Sequence, residues 1–212
     1  MKASEFTMDN NGIEKANQYL KNLSPSAIAE WAIALNKKSI VTTNFRPYEG
    51  AILHVCVSVQ PAINVIWCDT GYNTPQTYRC AEKLIDHLKL NVDLFVPQQT
   101  AAHRDVVMGI PAVDDERHQE FTRQVKLEPF QRAMQKHQPE LWFTNLRKGQ
   151  TNLRDSLDIL SLSKDGILKV SPFYYWTDTE LDGYMAEHDL ENEHKYYDPT
   201  KALENRECGL HV

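Results

Sequence analysis

The segment INVIWCD (63–69) is an apolar run that ends on an aspartate. Five residues later TPQTYRCAEKLIDHL (74–88) opens with a helix-capping threonine and a proline. A short strand that is apolar on both faces cannot lie against water. It needs helices on either side of its sheet, which is the situation of parallel strands linked by helical crossovers. The same alternation recurs along the chain. SIVTTN (39–44), VDLFVP (92–97) and LWFTN (141–145) read as further strands, and EGAILHVCVSV (49–59) reads as a helix between the first two. Before them, IEKANQYLKNL (13–23) has helical spacing, and SPSAIAEWAIALN follows with Ser24 as cap and Pro25 as first helical residue. The stretch 100–138 is expected to be largely helical, with Pro129 breaking or starting a segment. Residues 159–172 suggest a hairpin around Asp165-Gly166, and 177–188 a helix with Thr177 and Glu180 as a capping box.

The predicted class is therefore α/β, a mostly parallel sheet with helices on both faces and a flexible C-terminal tail. The 212 residues are expected to form one domain: N-terminal helices over 1–38, an α/β core over 39–188, and an irregular tail over 189–212. No apolar run reaches 18 residues and MKASEFTMDN has no apolar signal core, so neither a membrane partner nor secretion is indicated and a cytoplasmic location is expected. A net charge of −6 argues against a general nucleic-acid binder while leaving room for a basic pocket. Cys56, Cys68, Cys80 and Cys208 form no metal-ligand spacing, so neither a metal nor a cofactor is expected. The first three sit in apolar stretches and read as buried. Cys208 sits among polar residues, followed by Gly209 and three positions ahead of His211.

Ligands of open α/β sheets bind beyond the carboxyl ends of the strands. In TTNFRPYEG (42–50), the hydroxyls of Thr42 and Thr43, the amide of Asn44 and unbonded backbone N–H groups at a helix start suit phosphate oxygens, with Arg46 adding charge; an ordinary strand-to-helix turn fits equally. In CDTGYNTPQTYR (68–79), Asp69 is placed to hold a ribose hydroxyl or to order its own loop, and Thr70 and Gly71 follow it. NLRKGQTNLR (145–154) concentrates Arg147, Lys148 and Arg154 with Gln150 between them, suited to phosphate or sulfate or else a solvated basic loop. In the tail, the Cys208 thiolate would need the positive charge of Arg206, His211 or that loop.

Together these stretches resemble the phosphoadenosine phosphosulfate (PAPS) reductases, of the adenine-nucleotide alpha-hydrolase-like group. RECGLH (206–211) is similar to the family's signature around its nucleophilic cysteine, DTGYNTPQTYR (69–79) to its DTGYLFPETYR segment, and WFTNLRKGQTNLR (142–154) to its arginine-rich loop. VTTNFRPYEGAILH (41–54) occupies the place of its pyrophosphate loop. The resemblance implies that the three loops bind PAPS or a related adenine nucleotide and that Cys208, with His211 beside it, attacks the sulfonate sulfur. A thioredoxin or glutaredoxin would then release sulfite, and a homodimer is a possible assembly. The cysteines of the family's iron–sulfur branch are absent here, which favours the cluster-free branch. The chain departs from the pattern where Arg46 and Asn145 stand in place of glycines, and where the segment before RECGLH is shortened. Two other readings remain. One is an ATP-using relative, for which the SGGxDS loop is missing. The other is a nucleotide-binding relative without reductase activity that serves as a redox or interaction module.

Overall fold

The computed structural model describes residues 2–7 and 9–200. Among them six strands form one sheet: β1 (Ser39–Thr43), β2 (Asn64–Cys68), β3 (Asn91–Phe95), β4 (Leu141–Phe143), β5 (Leu160–Leu162) and β6 (Leu168–Val170). Their order is β3-β2-β1-β4-β6-β5. Every neighbouring pair is parallel except β5 on β6, the hairpin turned at Gly166 with φ +78°. The strands are shorter than their apolar runs suggest, because at the carboxyl ends the backbone leaves the ladder for loop bonds. The Asn44 amide, for one, donates to the Glu49 carboxylate at 2.7 Å.

Helices cover both faces. They are α1 (Asn10–Leu20), α2 (Pro25–Ile33), α3 (Glu49–Val59), α4 (Pro75–Leu88), α5 (Ala101–Val107), α6 (His118–Thr122), α7 (Glu128–His137), α8 (Asn152–Asp155) and α9 (Asp178–Glu187). Their starts follow local chemistry. Ser24 and Thr74 accept the amides of Ala27 and Thr77 ahead of a first-turn proline, and Thr177 with Glu180 closes a reciprocal capping box. A π-helical turn, Arg123–Leu127, joins α6 to α7, and Pro129 falls in the first turn of α7, where its missing N–H has no cost.

Strand side chains alternate between the faces. Val41, Val65, Trp67 and Phe143 join the larger core with residues of α1, α2, α3, α4 and α9, whereas Ile40, Ile66, Cys68 and Trp142 meet Ala133, Phe130 and Met134 of α7. Val41, Val65, Ile66 and Phe143 are fully buried, each stabilising the sheet by roughly 1.5–3 kcal/mol. Gly50 lets α3 approach α9 closely, since a Cβ there would lie 2.9 Å from Met185 Cε.

The expectation of a loose tail from Asp189 onward needs correction as far as Thr200. Residues 191–200 have no regular secondary structure, yet they are pinned as a strap. Asn192 Oδ1 accepts the Tyr48 amide at 2.9 Å, the Lys195 carbonyl accepts the Thr74 hydroxyl at 3.0 Å, and the buried Asp198 pairs with the buried Lys126 at 2.5 Å. Cys208, Arg206, Gly209 and His211 lie outside the described residues. No described helix is long and apolar enough to cross a membrane.

Candidate functional site

β1 and β4 are neighbours, but the strands that follow them in the chain lie on opposite sides of the sheet. Their outgoing loops therefore diverge, and the crevice between them is where an open α/β sheet takes a ligand. A cavity of about 410 Å³ opens there, lined by strand ends, α7, the π turn and the strap. That volume suits a nucleotide-sized ligand.

The β1 side is built around Glu49, the first residue of α3 and 5% exposed. Its carboxylate accepts the Thr43 hydroxyl at 2.8 Å, the Asn44 amide at 2.7 Å and Arg46 Nε at 2.6 Å. The Phe45 amide donates to Thr43 Oγ1 at 2.9 Å, and the Tyr48 amide to Asn192 of the strap. The unbonded N–H groups expected in this loop are thus already bonded at Asn44, Phe45 and Tyr48. Phe45 and Tyr48 hold left-handed backbone, φ 51° and 67°, and the buried Phe45 ring packs edge-on against Trp67 at 4.8 Å. Arg46 reaches across the crevice to the Asn145 carbonyl at 3.3 Å. Thr42 faces the α7 side, where its hydroxyl accepts Trp142 Nε1–H at 2.9 Å.

On the β4 side, Arg154 is 4% exposed and lines the cavity. Its guanidinium donates to Gln150 Oε1, which also accepts the Arg147 amide at 3.1 Å. The Tyr174 hydroxyl donates to the Arg154 carbonyl at 2.7 Å and fixes α8 from behind. Arg147 itself turns away. It donates to Asp178 at 2.6 Å and stacks over the Tyr48 ring at 5.2 Å. Lys148 is exposed, with its ammonium 5.8 Å from the Tyr175 ring centre.

The β2 loop is occupied with its own order. Asp69 accepts the Gly71 amide, the Asn73 side chain and the Tyr78 hydroxyl, all within 3.0 Å. Gly71 takes φ +80°, which lets the loop double back onto the carboxylate. Burial, helped by Asp69, pushes Tyr78 up to about 12, so its hydroxyl stays a donor. Asp69, Thr70 and Gly71 are not among the residues that line the cavity. The sequence-predicted set therefore divides: Thr42, Thr43, Asn44, Arg46 and Arg154 line it, whereas Arg147, Lys148 and Gln150 stand behind or beside it.

Sequence reasoning missed Glu49, Lys126, Trp142 and the strap residues His194, Tyr196, Tyr197 and Asp198, all of which line the cavity. Glu49 carried a usable signal, an acid three positions after an arginine at a helix start. The pairing of Lys126 with Asp198 spans 72 residues and left no local trace. Burial raises the Asp198 carboxyl, but Lys126 and the Thr200 hydrogen bonds outweigh it and hold the group below its ordinary value. Arg46, Lys126 and Arg154 set three cations against the carboxylates of Glu49 and Asp198, so the lining has a cationic excess in a chain of net charge −6. Cys68 also lines the cavity, but burial pushes its thiol up to about 12.

The family model for the phosphoadenosine phosphosulfate reductase domain matches residues 38–198, from the start of β1 to the strap. The chain belongs to the PAPS reductase family. It is 32% identical over 185 residues to the phosphoadenosine 5'-phosphosulfate reductase of Xylella fastidiosa strain M23, spanning 84% of this chain and 76% of that one. The Klebsiella pneumoniae strain 342 protein of the same name is 28% identical over 94% of this chain and 91% of its own. The crystal structure of the Candida auris PAPS reductase, a phosphate complex, superposes with a TM-score of 0.77 at 23% identity, covering 88% of this chain and 90% of that one, a match of fold. As a PAPS reductase family member the protein is an oxidoreductase of sulfate assimilation.

Proposed function

We propose that the protein reduces 3'-phosphoadenylyl sulfate to sulfite and adenosine 3',5'-bisphosphate, with the β1–β4 cavity as the nucleotide site and Cys208 as the nucleophile. The Cys208 thiolate attacks the sulfonate sulfur. The sulfur–oxygen bond breaks, its electron pair leaves on the bisphosphate, and a Cys-S-sulfonate remains. A thiolate of thioredoxin or glutaredoxin then attacks Cys208 Sγ and expels sulfite, and the partner's second thiol resolves the mixed disulfide and regenerates Cys208. One hard displacement is divided into two easier ones. His211 favours the thiolate, Arg154 meets the charge that develops on the leaving phosphate, and Arg46, paired with Glu49, orders the loop beside it. Thr42, Thr43 and Asn44 shape the phosphate side, while Asp69, Thr70, Gly71, Arg147, Lys148 and Gln150 hold the surrounding loops. The reaction needs no cofactor, and a homodimer is compatible with it.

The observation that carries this reading is the cation-lined cavity at the switch point between β1 and β4, in a chain of this family. Incubating the reduced protein with PAPS but no dithiol, then measuring intact mass and mapping the peptide, tests it. A sulfonate adduct on Cys208 is expected. Bound nucleotide without an adduct would favour a second reading, a nucleotide-binding relative without reductase activity. That alternative draws on the internally bonded amides of the β1 loop and the pairing of Arg147 with Asp178.

A further inference from the structure

The loop after β1 holds a carboxylate of its own where an anionic ligand would look for donors. Glu49 is nearly inaccessible yet lines the cavity, and it takes up the Thr43 hydroxyl, the Asn44 amide and Arg46 Nε together. It sits at the first position of α3, where the helix dipole favours negative charge, and it is paired with Arg46 at 2.6 Å. Arg46 is the one loop cation, and Glu49 already matches its charge while aiming it at the Asn145 carbonyl.

We infer that Glu49 is a specificity-determining residue that selects a phosphosulfate over the isosteric diphosphate by charge. Sulfonate and phosphoryl groups share a tetrahedral shape, so cavity form alone separates them poorly. They differ in charge. A terminal sulfonate carries a single negative charge, whereas a terminal phosphoryl carries about 1.5 to 2 near neutral pH. Beside a buried carboxylate, in a medium less polar than water, the additional charge is repelled with little screening. The same carboxylate occupies the backbone amide that a pyrophosphate would otherwise recruit. This inference rests on the reading of the cavity as the phosphosulfate site.

The test measures affinities for a matched pair, 3'-phosphoadenosine 5'-phosphosulfate and 3'-phosphoadenosine 5'-diphosphate, by calorimetry in a Cys208→Ser background that prevents turnover. The parent should prefer the phosphosulfate. Glu49→Gln, which keeps the shape and removes the charge, should narrow that preference on the order of tenfold, mainly by tightening the diphosphate. A purely structural role would weaken both ligands alike and leave the ratio unchanged. An unchanged ratio in a folded Glu49→Gln protein overturns the inference, as do equal affinities in the parent, and this last comparison stands even if the variant fails to fold. Glu49→Asp should retain the preference. A parent that binds neither nucleotide overturns the reading of the cavity as well, whereas one that binds both equally overturns the role of Glu49 alone.

Discussion

A guanidinium whose charge is already matched by a carboxylate adds little to the binding of a new anion. Arg147 is held by Asp178 at 2.6 Å and does not line the cavity, whereas Arg154 does. Arg154→Ala should weaken adenosine 3',5'-bisphosphate binding by about 1–3 kcal/mol, the range for charge-assisted hydrogen bonds. Arg147→Ala should cost clearly less. Calorimetry on both variants checks the order, and an equal loss would mean that Arg147 leaves Asp178 when nucleotide binds. The cysteines differ in a similar way. Burial raises the thiols of Cys56 and Cys80 and pushes Cys68 up to about 12, which disfavours the reactive thiolate in all three. A thiol reagent on native protein should therefore label Cys208 alone, and the other three only after unfolding. Rapid native labelling of Cys68 would contradict its burial beside the cavity.

Among the elements, the strap is moored near its far end by one buried ion pair. Lys126 and Asp198 form a buried pair, and removing one partner strands a charge in a poorly polar surrounding. Lys126→Ala should lower unfolding stability by about 3–5 kcal/mol, measurable as a lower urea midpoint. Because the folded-state value of Asp198 lies below the ordinary 3.8, the pair contributes stability above roughly pH 4, and this is lost as pH falls through the lowered value. Asp198→Asn should flatten that acid limb of the stability profile; an unaltered limb would assign it to other carboxylates. The parallel sheet and the capped helices α2, α4 and α9 were legible in the sequence, because apolar runs, Ser24-Pro25, Thr74-Pro75 and the Thr177 capping box are all local signals. Thr43, Asn44 and Arg46, which line the cavity, were legible because they stand at the end of β1, and Arg154 because the loop after β4 gathers three cations. The strap was not. Its polar composition reads as solvated chain, and what orders it are partners 72 and 144 residues distant, Lys126 for Asp198 and Tyr48 for Asn192.

For the whole molecule, ligand linkage separates the possible activities. Adenosine 3',5'-bisphosphate should raise the thermal midpoint and ATP should not, since the β1 loop has its amides bonded internally. Cys208→Ser should keep that stabilisation while abolishing sulfite release, as should deletion of 206–212. Loss of nucleotide binding in either variant would make the tail part of the binding site. The strap also sets a length. With Thr200 fixed beside Lys126, Cys208 is eight residues from its mooring, so whatever path those residues take its sulfur operates within a leash of about 27 Å. Cutting the mooring at Lys126 would leave the Lys195 carbonyl, held by the Thr74 hydroxyl and thirteen residues from the thiol, as the next one, and lengthen the leash to about 43 Å.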